Sequence, residues 1–250
     1  MNIIKKFKQN PLLIFIPLIH SKIFDFISDE KYLKIKYFIK TGKILKLTSV
    51  NSFNEKIQYM KLFDRKDMYT SLVDKIEVKN LVKNLIGQNI LLKTYGVYEK
   101  YDDINFSNLP DKMVIKCNHD SGSTKIITCK DSVNHKELSN FFKKKLAKNY
   151  YRKGREWPYK NIKPKIIIEE LLVGGDNLYD YKIFCFHGKP KFIQVDFDRL
   201  SNHKRNIYDL KWNLLPFEIE YPGDQKKIIK KPGQLEELLN YAEILSKNLS

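Results

Sequence analysis

The first arrangement in this sequence able to do chemistry is a lysine at the centre of a short apolar run. Met113-Val114-Ile115-Lys116-Cys117 leads into the small, polar stretch Asn118, His119, Asp120, Ser121, Gly122, Ser123 and Thr124. In a strand, Val114, Lys116 and Asn118 point to one face and Met113, Ile115 and Cys117 to the other. A strand lysine supplies a fixed positive charge, and small residues let backbone N–H groups approach a phosphate. One glycine is too few for a P-loop, and a lysine on a solvated strand face before an ordinary loop is the alternative. His119 reads as a hydrogen-bond donor that orders the loop rather than as a catalyst.

Two further clusters follow. Ile166-Ile167-Ile168-Glu169-Glu170-Leu171-Leu172 puts two carboxylates on opposite faces of an apolar strand, so at least one needs a partner or a cleft. A strand-end carboxylate beside an apolar slot suits a ribose hydroxyl or an adenine amine; an edge strand with both acids solvated is the alternative. In residues 180–199, Asp180, Lys182, Phe184 and Phe186 share a face, as do Gln194, Asp196 and Asp198. Acids alternating along a strand can line a cleft or bind a metal. Asp196-Phe197-Asp198 also fits the D-x-D pattern with which many glycosyltransferases hold a sugar nucleotide through Mn²⁺ or Mg²⁺. Arg199, His203, Lys204 and Arg205 follow in an expected loop, suited to a carboxylate or phosphate or simply solvated.

The elements that must position these groups are mixed. Residues 1–75 read as helical: Ser52 and Glu55 form a capping-box pattern, and Ile57, Met60 and Phe63 recur at helical spacing. A helix is predicted from Val73 to about Ile86, stopped by Gly87. Strands are predicted at Met113–Cys117, Ile126–Cys129 and Lys165–Leu172, the last ended by Gly174-Gly175. Asn134 and Glu137 open a helix with Leu138, Phe141, Phe142 and Leu146 on one face. Tyr181–His187 and Lys191–Phe197 read as a hairpin turning at Gly188-Lys189-Pro190. Leu235, Leu238, Leu239, Ala242, Leu245 and Leu249 mark a final amphipathic helix. Strands and helices interleave without regular βαβ alternation, so the fold class is α+β, with lobes in one compact unit rather than tethered domains.

Composition bounds the rest. Hydrophobic residues at 42% of 250 exclude a disordered chain. Three cysteines, Cys117, Cys129 and Cys185, exclude a disulfide scaffold or zinc ribbon and fit a reducing compartment, the cytoplasm. A formal charge of +17 attracts polyanions such as nucleotides, acidic polysaccharide, nucleic acid or an anionic membrane face. Lysine-rich genomic bias is the plainer source of that charge, and no basic run or recognisable motif supports nucleic acid. No stretch reaches the length of a transmembrane helix. Pro11–Ile19, after Lys5, Lys6 and Lys8, imitates a signal peptide but lacks a cleavage site. It reads as a short amphipathic or buried helix, with peripheral contact at the inner membrane face as a further expectation.

Taken in order, FNEKIQYMKLFDR (53–65), YTSLVDK (69–75), VIKCNHDSGS (114–123), GREWPYKNIKP (154–164), IIIEELL (166–172), DYKIFCFHGKPKFIQVDFDR (180–199) and NHKRNIYDLKWNLLPF (202–217) resemble the teichuronopeptide-biosynthesis, TupA-like branch of the ATP-grasp superfamily. The resemblance covers nearly the whole chain. It implies a helical region over 1–75 and two α+β subdomains, 76–172 and 173–250, clasping ATP. In that arrangement Lys116 holds the α/β-phosphates, and the loop carrying Asn118, His119, Ser121, Gly122 and Ser123 closes over the nucleotide. Glu169 and Glu170 sit at adenine and ribose with Leu171 beside the base. Lys182 and Arg205 act on the phosphoryl group and acceptor; Asp180, Asp196, Asp198 and Arg199 line the acceptor side. The superfamily works with Mg²⁺, and the resemblance expects its ligands on strands beyond Ser250, so no residue of this sequence is assigned to metal.

The function implied is an ATP-dependent carboxylate–amine ligase, or an impaired copy of one, acting on an anionic polysaccharide or sugar-acid acceptor of the cell surface. A glycosyltransferase of the same kind of pathway, using Asp196 and Asp198, is the second reading. A non-catalytic polyanion-binding protein is the third.

Overall fold

A computed structural model describes residues 10–21, 24–173, 178–199 and 201–249. The strand stop expected at Gly174-Gly175, and Lys5, Lys6 and Lys8, lie outside the described residues. The fold is α+β, and the chain divides into two compact units. The first comprises residues up to Asn80 with Leu92–Glu170; the second comprises Leu81–Leu91 with Leu171–Ser250.

The first unit begins with helices whose ends are written in the sequence. A 3₁₀ turn at Pro11–Phe15 runs into α1, Ile16–Ile19. Helix α2, Asp29–Thr41, is capped by the Ser28 side chain, carries Asp29 and Glu30 in its first turn and stops at Gly42, with φ at 69°. Helix α3, Phe53–Phe63, has the expected reciprocal capping box between Ser52 and Glu55. The helix predicted over Val73–Ile86 is α5, Glu77–Leu85, which starts four residues later than expected, and a separate short helix, α4 at Met68–Val73, precedes it. Asp74 separates the two, because its Oδ1 accepts from the Ile76 backbone N–H at 2.8 Å and offers the chain a turn.

A four-stranded antiparallel sheet follows, in the order β1-β4-β2-β3: β1 Thr94–Tyr98, β2 Met113–Cys117, β3 Lys125–Ile127 and β4 Ile166–Glu170. Strand β3 is shorter than Ile126–Cys129 suggested, and β4 shorter than Lys165–Leu172. Strand β1 carries no strong sequence signal, since Gly96 interrupts it and its pairing with β4 shifts register there. One face packs Met113, Ile115, Cys117, Ile166 and Ile168 against Leu138 and Phe142 of α6, His135–Leu146. Asn134 caps α6 as expected, its Oδ1 accepting from the Glu137 N–H at 3.1 Å. The short helix α7, Tyr151–Gly154, leads back toward β4.

In the second unit β5 Asp180–Phe186, β6 Lys189–Phe197 and β7 Lys204–Tyr208 form a three-stranded antiparallel sheet in chain order. The β5–β6 turn lies one residue earlier than expected, at His187-Gly188, both with positive φ as a two-residue hairpin requires. Strand β7 corrects the sequence expectation: Lys204 and Arg205 stand on a strand, not in a loop. Ile193, Val195, Phe197 and Tyr208 pack with Leu235 of α8, Leu235–Ser246, whose Leu238, Leu239, Ala242 and Leu245 are half-buried. No helix among the described residues is long and apolar enough to cross a membrane.

Candidate functional site

The first unit gathers a cluster around Glu169. Antiparallel register sets Glu169 opposite Thr94 on β1 and Val114 on β2, and Lys116 lies one step further along the same sheet face. Lys116 Nζ pairs with Glu169 Oε2 and Lys79 Nζ, from α5, pairs with Oε1. Lys79 also donates to Thr94 Oγ1 at 2.7 Å and to the Leu92 carbonyl at 3.0 Å. The Glu169 side chain is only 3% exposed, yet its two lysine partners keep 20% and 23%. Burial pushes its carboxyl up, but Lys116 and Lys79 outweigh burial and hold it below its ordinary value. One buried carboxylate thus holds two lysines side by side at the surface of the sheet. Glu170 turns to the other face, where its Oε1 accepts from the Lys93 N–H at 2.9 Å. Leu171 follows directly and is half-buried.

The loop after β2 has a rigid frame and an open tip. Asn118 is buried; its Nδ2 donates to Asp74 Oδ2 at 2.9 Å and to the Lys163 carbonyl at 3.1 Å, and its Oδ1 accepts from the Lys165 N–H at 2.8 Å. Ser123 is buried too, accepting from the Cys117 N–H at 2.9 Å and donating to Asp120. Lys75 Nζ donates to the carbonyls of Asn118 and Asp120, at 3.1 and 2.6 Å. His119 is buried with Nε2 3.1 Å from the Lys148 carbonyl and Nδ1 without a hydrogen-bond partner. Burial lowers its pKa against the pull of Asp120, so it is a neutral member of the frame. Ser121 and Gly122 form the exposed tip, with Gly122 at φ 92°. Asn118, His119 and Ser123 therefore shape the loop, while Ser121 and Gly122 present its backbone outward.

The second unit holds a charged row across its sheet. Register aligns Asp180, Asp196 and Arg205, with Lys182 opposite Gln194 in the next row. Asp196 is buried: Arg205 donates Nε to Oδ1 at 2.5 Å and Nη2 to Oδ2 at 3.2 Å, and Oδ2 also accepts from Lys182 at 2.7 Å and Gln194 at 3.1 Å. His203 Nε2 lies 3.4 Å from Oδ1. Burial raises the Asp196 carboxyl, but Arg205 and Lys182 outweigh it and keep it ionised far into acid. Lys182 and Arg199 both reach Asp180, at 2.5 and 2.8 Å, and with 45% and 54% exposure they are the cations this row shows to solvent. Arg205 is buried, its Nη1 donating to the Ile219 carbonyl at 2.8 Å.

Asp198 does not share the face of Asp196. It lies past the end of β6 with φ at 50°, and Lys227 donates to both its oxygens at 2.8 and 2.9 Å. The D-x-D acids are thus each neutralised by cations and do not converge. Among the described residues no group of three or more His, Cys, Asp or Glu side chains is placed to hold a metal ion. These residues do not fit a Mg²⁺ site. The lysine pair held by Glu169 supplies the fixed positive charge that an oligophosphate needs.

The family model described as TupA-like ATPgrasp matches residues 55–250, a span that takes in every cluster described above. The chain belongs to the TupA-like ATP-grasp family. No curated protein and no solved structure matches it. In this TupA-like protein, sequence reasoning found Lys116 and Glu169 but missed Lys79. Nothing in the sequence marks Lys79, because the turn at Asp74 and a strand pairing more than ten residues away bring it to Glu169.

Proposed function

We propose that this protein is an ATP-dependent carboxylate–amine ligase of surface-polysaccharide synthesis, with residues 76–172 and 173–250 as its two ATP-grasp subdomains. The observation that carries the reading is the Lys116–Glu169–Lys79 cluster in a chain of this family. Lys116, joined by the backbone of Ser121 and Gly122, binds the phosphates of ATP. Glu169, Glu170 and Leu171 lie toward the nucleoside, and Asn118, His119 and Ser123 hold the loop in shape. In the second unit Lys182 and Arg199 meet an acidic acceptor. Asp180, and the buried Asp196–Arg205 pair, fix the position of Lys182. Asp198, tied to Lys227, braces the end of β6.

The chemistry is a two-step condensation. An acceptor carboxylate oxygen attacks the γ-phosphorus as the bond to ADP breaks, giving an acyl phosphate. An amine nitrogen then attacks the acyl carbon, phosphate leaves with the C–O electron pair, and the nitrogen loses a proton to solvent to give the amide. The lysines counter the charge of the phosphates and hold the reactants together.

The test is ADP release in the presence of a polyuronate and a panel of amino acids, with amide formation followed by mass spectrometry. Release that requires both co-substrates, and amide in equal amount, supports the reading. Nucleotide binding without ADP release under any combination contradicts it, as does tight UDP-sugar binding lost in Asp198→Ala, which favours the glycosyltransferase.

A further inference from the structure

The apolar run Pro11–Ile19 is firmly held on one side and bare on the other. Asn10 fixes its start: Oδ1 accepts from the Leu12 N–H at 3.1 Å, and Nδ2 donates to the Ile39 carbonyl at 2.7 Å. Leu12, Ile16 and Ile19, at helical spacing, pack on the core of Tyr32, Leu33, Tyr37, Ile39 and Leu45. Between them Ile14, Phe15 and Leu18 stand out into solvent, 67%, 48% and 50% exposed, and nearby in sequence Phe26 is 82% exposed. A backbone held in place while it shows large apolar side chains to water marks an interaction surface.

The charges around this run say what kind of surface covers it. Its acids are already engaged: Asp25 by Arg152, Asp29 by Arg65 and Glu30 by Lys34. Lys31, Lys40, Lys43 and Lys46 enter no ion pair among the described residues and are exposed. Lys36, Lys153 and Lys40 gather about His20, at the end of the run. There burial and those three ammonium groups push the imidazole down to about 4. The side chains of the run itself are all hydrocarbon, and cations stand at both its ends: Asn10 Nδ2 lies 3.4 Å from the Lys40 carbonyl at the start, and Lys36, Lys153 and Lys40 act on His20 at the finish. That pairing matches a lipid surface with anionic headgroups.

We propose that Ile14, Phe15, Leu18 and Phe26 insert into the headgroup–acyl boundary of an anionic bilayer, with the surrounding lysines on its phosphates. The contact is peripheral and uses none of the residues of the Glu169 cluster, so it stands or falls independently of ATP chemistry.

The experiment is co-sedimentation of the whole chain with vesicles of phosphatidylcholine containing about 30% phosphatidylglycerol, and with pure phosphatidylcholine, at low and high salt. Binding is expected to the anionic vesicles, stronger than to neutral ones by about tenfold or more and weakened by salt. Phe15→Glu/Leu18→Glu alters only exposed groups, so its melting temperature should match the unaltered chain while vesicle binding falls at least about tenfold. No binding by the unaltered chain overturns the proposal, as does equal binding by the double variant. Concentration-dependent self-association in light scattering, abolished by the same variant, also overturns it and makes this face a contact between copies.

Discussion

Glu169→Gln keeps the shape of the side chain and removes the one negative charge shared by Lys116 and Lys79. Removing one partner from a buried ion pair costs about 3–5 kcal/mol, because the other charge is left without compensation. Here the penalty is smaller. Both lysines keep about a fifth of their side-chain surface in water, and Lys79 retains Thr94 Oγ1 and the Leu92 carbonyl. A loss of about 2–3 kcal/mol is expected at neutral pH. In a chain of this size each kcal/mol moves the melting temperature by about 2–4 °C, so a fall of about 5–10 °C follows. The pH dependence adds a second check. The folded-state pKa of Glu169 is depressed, so its contribution is fully present above the unfolded value of about 4.3 and is lost as pH falls through the folded one. The gap between the two proteins should therefore close from about pH 5 downward. Calorimetric melting across pH measures both. An unchanged melting temperature at pH 7, or a gap of constant size down to about pH 3.5, would refute the role of Glu169 as counter-charge.

Two further outcomes test the frame around the sites. Asp196→Asn should destabilise the second unit by about 3 kcal/mol or more in urea unfolding, since the buried Arg205 loses its carboxylate; Asn213→Ala, at an exposed turn, should have little effect. Ser123→Ala leaves the Cys117 N–H without its acceptor and frees Asp120, for about 1–3 kcal/mol and faster amide exchange over residues 118–124. Exchange unchanged there would mean the loop is framed by other contacts.

Much of the scaffold was legible because its signals are local. The Ser52–Glu55 box, the Asn134 cap and the apolar alternation of Met113–Cys117 each depend on residues within a few positions, and each appears where the spacing puts it. Strands β1 and β7 were not legible. Thr94–Tyr98 is broken by Gly96, and Lys204–Tyr208 opens with two cations whose strand state depends on pairing with β6. The same limit applies to the sites. Lys116 and Glu169 were visible as charges in apolar runs, whereas Lys79 and the Asp196–Arg205 pair owe their roles to partners brought in by the sheet. Acids that looked like metal ligands in sequence, Asp196 and Asp198, face opposite demands once folded and are each matched to cations.

The claim that Lys116 serves ATP phosphates is tested most directly by titrating a non-hydrolysable ATP analogue into the unaltered chain and Lys116→Ala by calorimetry, with melting curves confirming that the variant folds. Binding by the unaltered chain is expected, with an affinity about 10–100-fold lower in the variant, the scale of one charge-assisted contact. Equal affinity in the two proteins, or no binding by the unaltered chain, would contradict that claim.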